Sequence, residues 1–272
     1  MRNAVKEFDA EPFSLTKILD SVQFLGLKTS PRGKLIVILG ATATGKSALA
    51  LRLAEILGTE IISADSMAVY KNFNIGTAKP SVQELQRVKH HLIDILEPDE
   101  RFSVVEFVQL ASELITEINS RGKIPIVAGG TGLYIQALLE GYNFSATSKS
   151  QSKFFSDTGE LRYDALVIGL TAERAELYRR INERTKKMFD AGLVSEVQKL
   201  LESGVSPNAQ AMLGIGYKET VEYLRGDLSL DEAVSKVSQA TRNFAKRQLT
   251  WYRRMNYIRF FNVNSNFFKG DF

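Results

Sequence analysis

The stretch Leu35-Ile-Val-Ile-Leu-Gly-Ala-Thr-Ala-Thr-Gly-Lys-Ser-Ala-Leu49 decides the fold of this chain. An apolar run ends at Gly40, a loop with the spacing G-x-x-x-x-G-K-[ST] follows, and a helix-forming segment begins near Lys46. Gly40 and Gly45 permit backbone angles that side chains disfavour, so successive N–H groups can point at an anion. The helix N-terminus adds partial positive charge. Strand, loop and helix together predict a phosphate or diphosphate site, in which Lys46 supplies a cation and Ser47 a hydroxyl for Mg²⁺.

The composition is typical of a globular protein and excludes several classes of function. With 272 residues, 44% of them hydrophobic and 24% charged, the chain can form one α/β domain with an appendage, or two small domains. Its lack of cysteine excludes disulfides and thiol chemistry and fits a reducing compartment. No apolar run is long enough for a membrane span, and the N-terminus does not resemble a secretory signal. We expect a cytoplasmic, monomeric protein without a membrane partner.

Apolar runs alternate with helical patterns along the rest of the chain. Strands are predicted at 60–64, 123–128 and 164–170, and helices at 81–89, 103–121 and 132–140. This alternation predicts an α/β fold, a P-loop NTPase-like parallel sheet flanked by helices. Because ligands of such sheets bind at the carboxyl ends of the strands, residues 40–47, Asp65 and Thr131 are expected to converge on one crevice.

The domain organisation follows from shifts in composition. Residues 1–33 are predicted to be an N-terminal appendage, with Ser14 capping a short helix. Residues 34–142 and 164–261 form the predicted catalytic core. The Ser/Lys-rich segment 143–163 is predicted to be a linker, or the remnant of an insertion. Beyond it the pattern is mostly helical, at 172–190, 193–203, 209–225 and 229–255, before a short strand at 257–261.

The last long helix is unusually basic. Between Ala233 and Phe260 it contains several Lys and Arg residues and no acidic residue, and Arg242, Lys246 and Arg253 share a face. A stripe of this kind suits a polyanion such as RNA or a diphosphate. It can also be a solvated surface, and the lack of compensating Glu favours nucleic acid.

Several reactions on the phosphate loop remain open from the residues alone. ATP or GTP hydrolysis usually needs an Asp at the end of a neighbouring strand to hold Mg²⁺, but the strand at 124–128 ends in Gly-Gly-Thr. Asp65 ends the other strand and could serve instead. ATP-binding activity, including that of a small-molecule kinase, is therefore weakened but not eliminated, and a non-catalytic RNA-binding protein also fits.

Six sequence blocks resemble the bacterial tRNA dimethylallyltransferase family, in the family's order. They are Gly40-Ala-Thr-Ala-Thr-Gly-Lys-Ser47, Ile62-Ser-Ala-Asp-Ser-Met-Ala-Val-Tyr70, Ile75-Gly-Thr-Ala-Lys-Pro80, His90-His-Leu-Ile-Asp94, Val127-Ala-Gly-Gly-Thr-Gly-Leu-Tyr134 and Thr241-Arg-Asn-Phe-Ala-Lys-Arg-Gln-Leu-Thr-Trp251. The resemblance implies transfer of a dimethylallyl group from dimethylallyl diphosphate to N6 of an adenosine beside the anticodon of tRNA, usually position 37. The same donor serves adenylate isopentenyltransferases, whose acceptor is a free nucleotide, and this alternative stays open.

The resemblance also implies roles for individual residues. Asp65 would be the general base, Thr131 would orient the reacting groups, and Arg242 would contact the diphosphate opposite the loop. Diphosphate binding is assigned to Gly40, Thr42, Ala43, Thr44, Gly45, Lys46 and Ser47, with Ser47 helping to hold Mg²⁺. Contacts to the tRNA anticodon stem-loop are assigned to Asp65, Ser66, Met67, Ala68, Gly214, Ile215, Gly216, Tyr217, Lys218, Lys246 and Arg247.

These roles agree with the chemistry of the acceptor. An exocyclic adenine amine is a weak nucleophile, so transfer needs a carboxylate within hydrogen-bond reach and stabilisation of the departing diphosphate. The adenosine is expected to be flipped out of the loop to reach the crevice. One departure from the family is the short segment between Tyr142 and Tyr163, where family members carry a helical insertion that clasps the tRNA. A shorter insertion would weaken the grip on RNA and leave the diphosphate site intact.

Overall fold

A computed structural model of the protein describes residues 9–28, 31–141 and 161–263. These ranges form one seven-stranded sheet in which all neighbouring strands run parallel. From one edge to the other the strands are β1 (Ala10–Pro12), β7 (Arg259–Asn262), β6 (Asp164–Thr171), β2 (Lys34–Gly40), β5 (Ile126–Gly129), β3 (Ile61–Ser63) and β4 (His90–His91). The prediction of a parallel α/β sheet is confirmed.

Strand β2 lies at the centre of the sheet because both of its faces are apolar. Every residue from Leu35 to Gly40 is buried. Leu35, Val37 and Leu39 pack into the core on one face, and Ile36 and Ile38 pack into the core on the other. A continuous apolar run is the pattern expected of a parallel strand covered on both sides. The central position of β2 puts the glycine-rich loop at its end near the middle of the sheet.

Helices cover both faces of the sheet. The helices are α1 (Leu15–Leu27), α2 (Lys46–Leu57), α3 (Val82–Arg87), α4 (Val104–Ser120), α5 (Gly132–Glu140), α6 (Arg174–Asp190), α7 (Leu193–Glu202), α8 (Tyr217–Leu224) and α9 (Leu230–Tyr252). Helices α1 and α2 pack on one face, and α4, α5, α7 and α8 contribute to the core on the other. Helix α6 packs against α9 through a small cluster that includes Leu177, Ile181 and Ala245, and this cluster also contains Ala41 of the glycine-rich loop.

The described part of the predicted N-terminal appendage is integrated into this architecture. Strand β1 pairs in parallel with β7. The Ser14 side chain accepts a hydrogen bond from Lys17 N–H and caps α1, as predicted. Ile18, Val22 and Leu25 of α1 are buried in the core. Of the predicted linker at 143–163, residues up to 160 lie outside the described residues.

The helical C-terminal part differs from the prediction at one place. The predicted helix over 209–225 is wrong in its first half, where a single 3₁₀ turn (Ala211–Leu213) precedes a bend. Gly216 has φ +99°, which a continuing helix does not allow, so α8 begins only at Tyr217. The other predicted helices of this part are confirmed to within a few residues at their ends.

No helix in the described ranges is both long enough and apolar enough to cross a membrane.

The close approach of β5 to β3 gives a test of the fold. A Cβ atom added at Gly129 would lie 2.2 Å from the carbonyl oxygen of Ala64, whereas one added at Gly26 in α1 would meet no atom within 4 Å. We expect Gly129→Ala to lower the free energy of unfolding by about 3 kcal/mol, because two backbone segments must separate. Gly26→Ala, the matched control, should leave stability unchanged or raise it slightly. Thermal denaturation of both variants measures the difference, and equal melting temperatures would contradict the described packing of these strands.

Candidate active site

The glycine-rich loop adopts the conformation that its sequence predicts. Gly40 has φ +152° and Gly45 has φ +91°, and between them Ala43 also has a positive φ of +63°. The Thr44 side chain is fully buried, and its hydroxyl donates to the carbonyl oxygen of Ala41 at 2.8 Å. Lys46 is the first residue of α2. The loop therefore presents backbone N–H groups and a helix N-terminus to the space beside it, which is the geometry of an anion site.

A cavity of about 650 Å³ lies beside this loop at the carboxyl ends of the strands. It is lined by the predicted residues Thr42, Ala43, Gly45, Lys46, Ser47, Asp65 and Ala68. The loop after β2, the turn after β3 and the residues at the end of β5 thus meet in one place, as the parallel sheet requires. The sequence-based prediction of convergence on one crevice is confirmed for these three segments.

Lys46 and Arg184 both line the cavity beside the glycine-rich loop. The Lys46 ammonium donates to the carbonyl oxygen of Ala41 at 2.8 Å. Arg184 of α6 places its Nη1 3.4 Å from the hydroxyl of Thr42, the next residue of the same loop. Burial of the ammonium, and then the nearby Arg184, lower the pKa of Lys46 to about 7, while Asp65 acts in the opposite direction. Burial also lowers the pKa of Arg184. A bound anion would stabilise the charged forms of both the Lys46 and the Arg184 side chains.

Asp65 is held by the turn that follows β3. Its Oδ1 accepts a hydrogen bond from Met67 N–H at 2.9 Å, which orients the carboxylate. The next residue, Ser66, donates its N–H to the hydroxyl of Thr131 at 3.1 Å. Thr131 itself does not line the cavity. In this arrangement the Thr131 hydroxyl supports the turn that carries Asp65.

Arg242 lies outside the cavity in this structure. Its guanidinium donates to the side-chain oxygens of Asn182 and Gln239 and lies 6.0 Å from the ring centre of Tyr178. The guanidinium that faces the glycine-rich loop belongs instead to Arg184. A contact between Arg242 and a diphosphate would need the side chain to leave these partners, and it stays a prediction.

The two turns assigned to RNA lie against each other. A Cβ atom added at Gly214 would be 2.6 Å from the Met67 Cε atom, so the 65–68 turn packs on the 214–218 turn. Within the second turn Tyr217 is buried, and its hydroxyl donates to the Glu196 carboxylate at 2.7 Å. Lys218 is exposed. Lys246 and Arg247 are also exposed, on α9. RNA contacts by these residues stay predictions.

Sequence reasoning missed two residues at the site. The charge pattern gave no signal for Arg184, because it lies in a helix of mixed charge in which Glu176 and Glu183 precede it. Gln248 is uncharged and stands in the basic stripe, yet it is buried and reaches the cavity. Its Oε1 accepts from Thr42 N–H at 2.9 Å, and its Nε2 donates to the carbonyl oxygen of Gly130 at 2.8 Å. The one available signal was the position of Gln248 on the buried side of the helix.

The lowered pKa of Lys46 predicts that diphosphate binding depends on pH. Because an anion favours the ammonium, binding above pH 7 should take up a proton. We expect the dissociation constant of inorganic diphosphate to rise up to about tenfold per pH unit between about pH 7.5 and 9. Calorimetry in buffers of different ionisation enthalpy measures the proton uptake.

Lys46→Arg is the matched control, because arginine stays charged throughout this range. Its dissociation constant should change far less with pH than that of the wild type. The same pH dependence in both proteins would show that another group titrates.

Comparison with known proteins identifies relatives over most of the chain. The family model described as IPP transferase matches residues 68–154 and 143–255. A tRNA dimethylallyltransferase of Geobacillus kaustophilus is 41% identical, with 85% of this chain and 90% of the relative covered. One of Streptococcus mutans is 42% identical, covering 87% and 95%.

A solved structure agrees with these relatives. The crystal structure of a full-length tRNA isopentenylpyrophosphate transferase from Bacillus halodurans superposes with a TM-score of 0.78. It is 36% identical in sequence, and the match covers 86% of this chain and 92% of that one. Because the family model and relatives of about 40% identity match over most of its length, the chain belongs to the IPP transferase family of tRNA dimethylallyltransferases.

Proposed function

We propose that this protein transfers a dimethylallyl group from dimethylallyl diphosphate to N6 of adenosine 37 in tRNA and releases diphosphate. The observation that carries the proposal is that Lys46 and Asp65 line one cavity of about 650 Å³. A loop that carries a cation is suited to bind a diphosphate, and a carboxylate in the same cavity is suited to accept a proton. Both are required when a weak amine displaces a diphosphate from carbon.

In the proposed reaction the N6 amine attacks C1 of the dimethylallyl group. A C–N bond forms, the C–O bond to the diphosphate breaks, and the N6 proton passes to Asp65. Lys46 and Arg184 stabilise the charge that accumulates on the departing diphosphate, together with the loop N–H groups from Ala43 to Ser47. Thr42 N–H is already bonded to Gln248, so Thr42 contributes through its position in the loop. Thr131 acts through the Ser66 N–H to keep Asp65 in place. Arg242 would contact the same anion only after its guanidinium leaves Asn182 and Gln239.

The residues at the loop fit Mg²⁺ when the donor supplies most of the ligands. Ser47 lines the cavity at the start of α2, and Asp65 lines the same cavity from the turn after β3. Within the described ranges no group of three or more His, Asp or Glu residues could form an all-protein metal site. Mg²⁺ is commonly bound by one or two protein oxygens, substrate phosphates and water. Ser47 would hold the ion, which would neutralise charge on the leaving diphosphate.

The surface beside the cavity favours RNA as the acceptor. Lys246 and Arg247 are exposed on α9, while Phe244 of the same helix lines the cavity. Cations can bind the RNA backbone, and an aromatic ring can stack on an extruded base. The relatives described above are named as tRNA enzymes, which favours tRNA over the free nucleotide of an adenylate isopentenyltransferase. A cytoplasmic location and a monomeric state remain predictions.

A transfer assay tests the acceptor. The purified protein is incubated with Mg²⁺, labelled dimethylallyl diphosphate and, in separate reactions, tRNA transcript, AMP or ATP. We expect label in tRNA and, after digestion, in the nucleoside of position 37. Replacing adenosine 37 of the transcript by guanosine is the matched control and should abolish the label. Label in AMP alone would support the adenylate isopentenyltransferase, and phosphorylation without prenyl transfer would support a kinase.

Substitution of Asp65 tests whether this residue accepts the proton or helps to bind the donor. We expect Asp65→Ala to lower the single-turnover rate of prenyl transfer by about 10²-fold or more, because the amine loses its proton acceptor. The dissociation constant of the donor should change little. Asp20→Ala, at an exposed acidic residue of α1, is the control. Equal loss of turnover and donor affinity in Asp65→Ala would indicate that Asp65 holds the metal ion.

A further inference from the structure

Gln248 joins two loops that are far apart in sequence. The side chain is 5% exposed and comes from near the C-terminal end of α9. Its Oε1 accepts from Thr42 N–H in the anion loop at 2.9 Å, and its Nε2 donates to the carbonyl oxygen of Gly130, just after β5, at 2.8 Å. One buried amide group therefore sets the separation of the loops at the ends of two neighbouring strands.

Only a side chain with a donor and an acceptor on one planar group can make both contacts. A backbone N–H can only donate and a backbone carbonyl can only accept, so the orientation of the Gln248 amide is dictated by its partners. An ionised carboxylate of the same shape would accept from Thr42 but would repel the carbonyl oxygen of Gly130. An aliphatic side chain would leave both backbone groups without this partner in a buried site.

The second loop is held from the same helix by a further donor. One turn beyond Gln248, the hydroxyl of Tyr252 donates to the same carbonyl oxygen of Gly130 at 2.9 Å. The approach is close, since a Cβ atom added at Gly130 would lie 2.5 Å from Gln248 Nε2. Helix α9 thus fixes the backbone at Gly130 through two hydrogen bonds.

The contacts continue from Gly130 to the acidic turn. The residue after Gly130 is Thr131, whose hydroxyl accepts from Ser66 N–H at 3.1 Å, and Ser66 follows Asp65. A chain of hydrogen bonds therefore leads from Thr42, through Gln248 and the 130–131 backbone, to the turn that orients Asp65.

We propose that Gln248 is a positioning residue that sets the distance between the diphosphate loop and the proton acceptor Asp65. The proposal rests on the proposed function, in which the loop holds the leaving group and Asp65 takes the proton from the attacking amine. Gln248 touches neither reacting group. Its side-chain oxygen occupies Thr42 N–H, so the N–H groups that remain for the anion are those later in the loop. A displacement of about 1 Å between two reacting groups can cost about 10²-fold in rate.

Two substitutions test the proposal through the pH dependence of the rate. Gln248→Leu removes both hydrogen bonds, whereas Gln248→Glu restores both when the carboxyl is protonated, because a carboxylic acid offers O–H to Gly130 and C=O to Thr42 N–H. Single-turnover prenyl transfer to tRNA is measured from pH 6 to pH 8.5 with saturating donor. At pH 8 both variants should be about 10²-fold slower than the wild type. The ratio of Gln248→Glu to wild type should rise about tenfold or more towards pH 6, and that of Gln248→Leu should stay constant.

Gln109→Glu, at an exposed position on α4, is the matched control for the change in charge. It should follow the wild type at every pH. A Gln248→Glu ratio that does not rise at low pH, or a Gln248→Leu rate equal to the wild-type rate, would overturn the proposal. If Gln248→Leu fails to fold, the pH profile of the Gln248→Glu rate alone tests the proposal.

Amide hydrogen exchange separates this proposal from the proposed function. Exchange at Thr42 N–H, followed by NMR in the protein without donor, should be at least tenfold faster in Gln248→Leu than in the wild type, because leucine offers no acceptor to this N–H. Unchanged exchange would contradict the contact itself, whatever the protein does with tRNA. A wild-type protein that transfers no prenyl group would overturn the proposed function, together with the role of Gln248 in it, even where the exchange result establishes the contact.

Discussion

The parallel direction of the strands is the constraint on which the site depends. Strand β2 is bonded to β5 on one side and β6 on the other, and β5 is bonded in turn to β3. Because all these strands run the same way, the loops after Gly40, Ser63 and Gly129 leave the sheet at the same edge. The anion loop, the turn of Asp65 and the backbone at Gly130 are neighbours for this reason alone. A single reversed strand would move one of them to the opposite edge.

Charge in the cavity is arranged for a ligand that is itself negative. Placing Lys46 and Arg184 in one cavity is unfavourable without a counterion, and both pKa values are lowered by burial. Asp65 offsets part of this cost, since its carboxylate favours the charged forms of both cations. A diphosphate would supply the remaining negative charge. The clustered positive charge is unfavourable when no anion is bound. The same charge would strengthen binding of the donor and stabilise the leaving group.

Helix α9 combines two functions on its different faces. Lys246 and Arg247 face outward and are available to a polyanion. Gln248 and Tyr252, on the buried face, hold the backbone at Gly130. RNA that binds the outer face would therefore bind an element that also sets the geometry of the active site. The absence of acidic residues over 233–260 points only to binding of a polyanion on the exposed face. It gives no sign of the buried face, because the side chains that bind Gly130 there are neutral and polar.

The sequence by itself determined the parallel sheet, the anion loop and the family. These features are local: the spacing from Gly40 to Ser47 specifies the loop because glycine angles and a helix N-terminus act within a few residues. The bend before α8 was missed because the helical pattern continues through Gly216, where the backbone does not. Only the tertiary structure placed Arg184 beside Thr42 of the anion loop and left Arg242 beside Asn182. Only the tertiary structure paired Gln248 with Thr42 and Gly130. Contacts across more than a hundred residues depend on how α6 and α9 pack over the end of the sheet, and no local pattern encodes that packing.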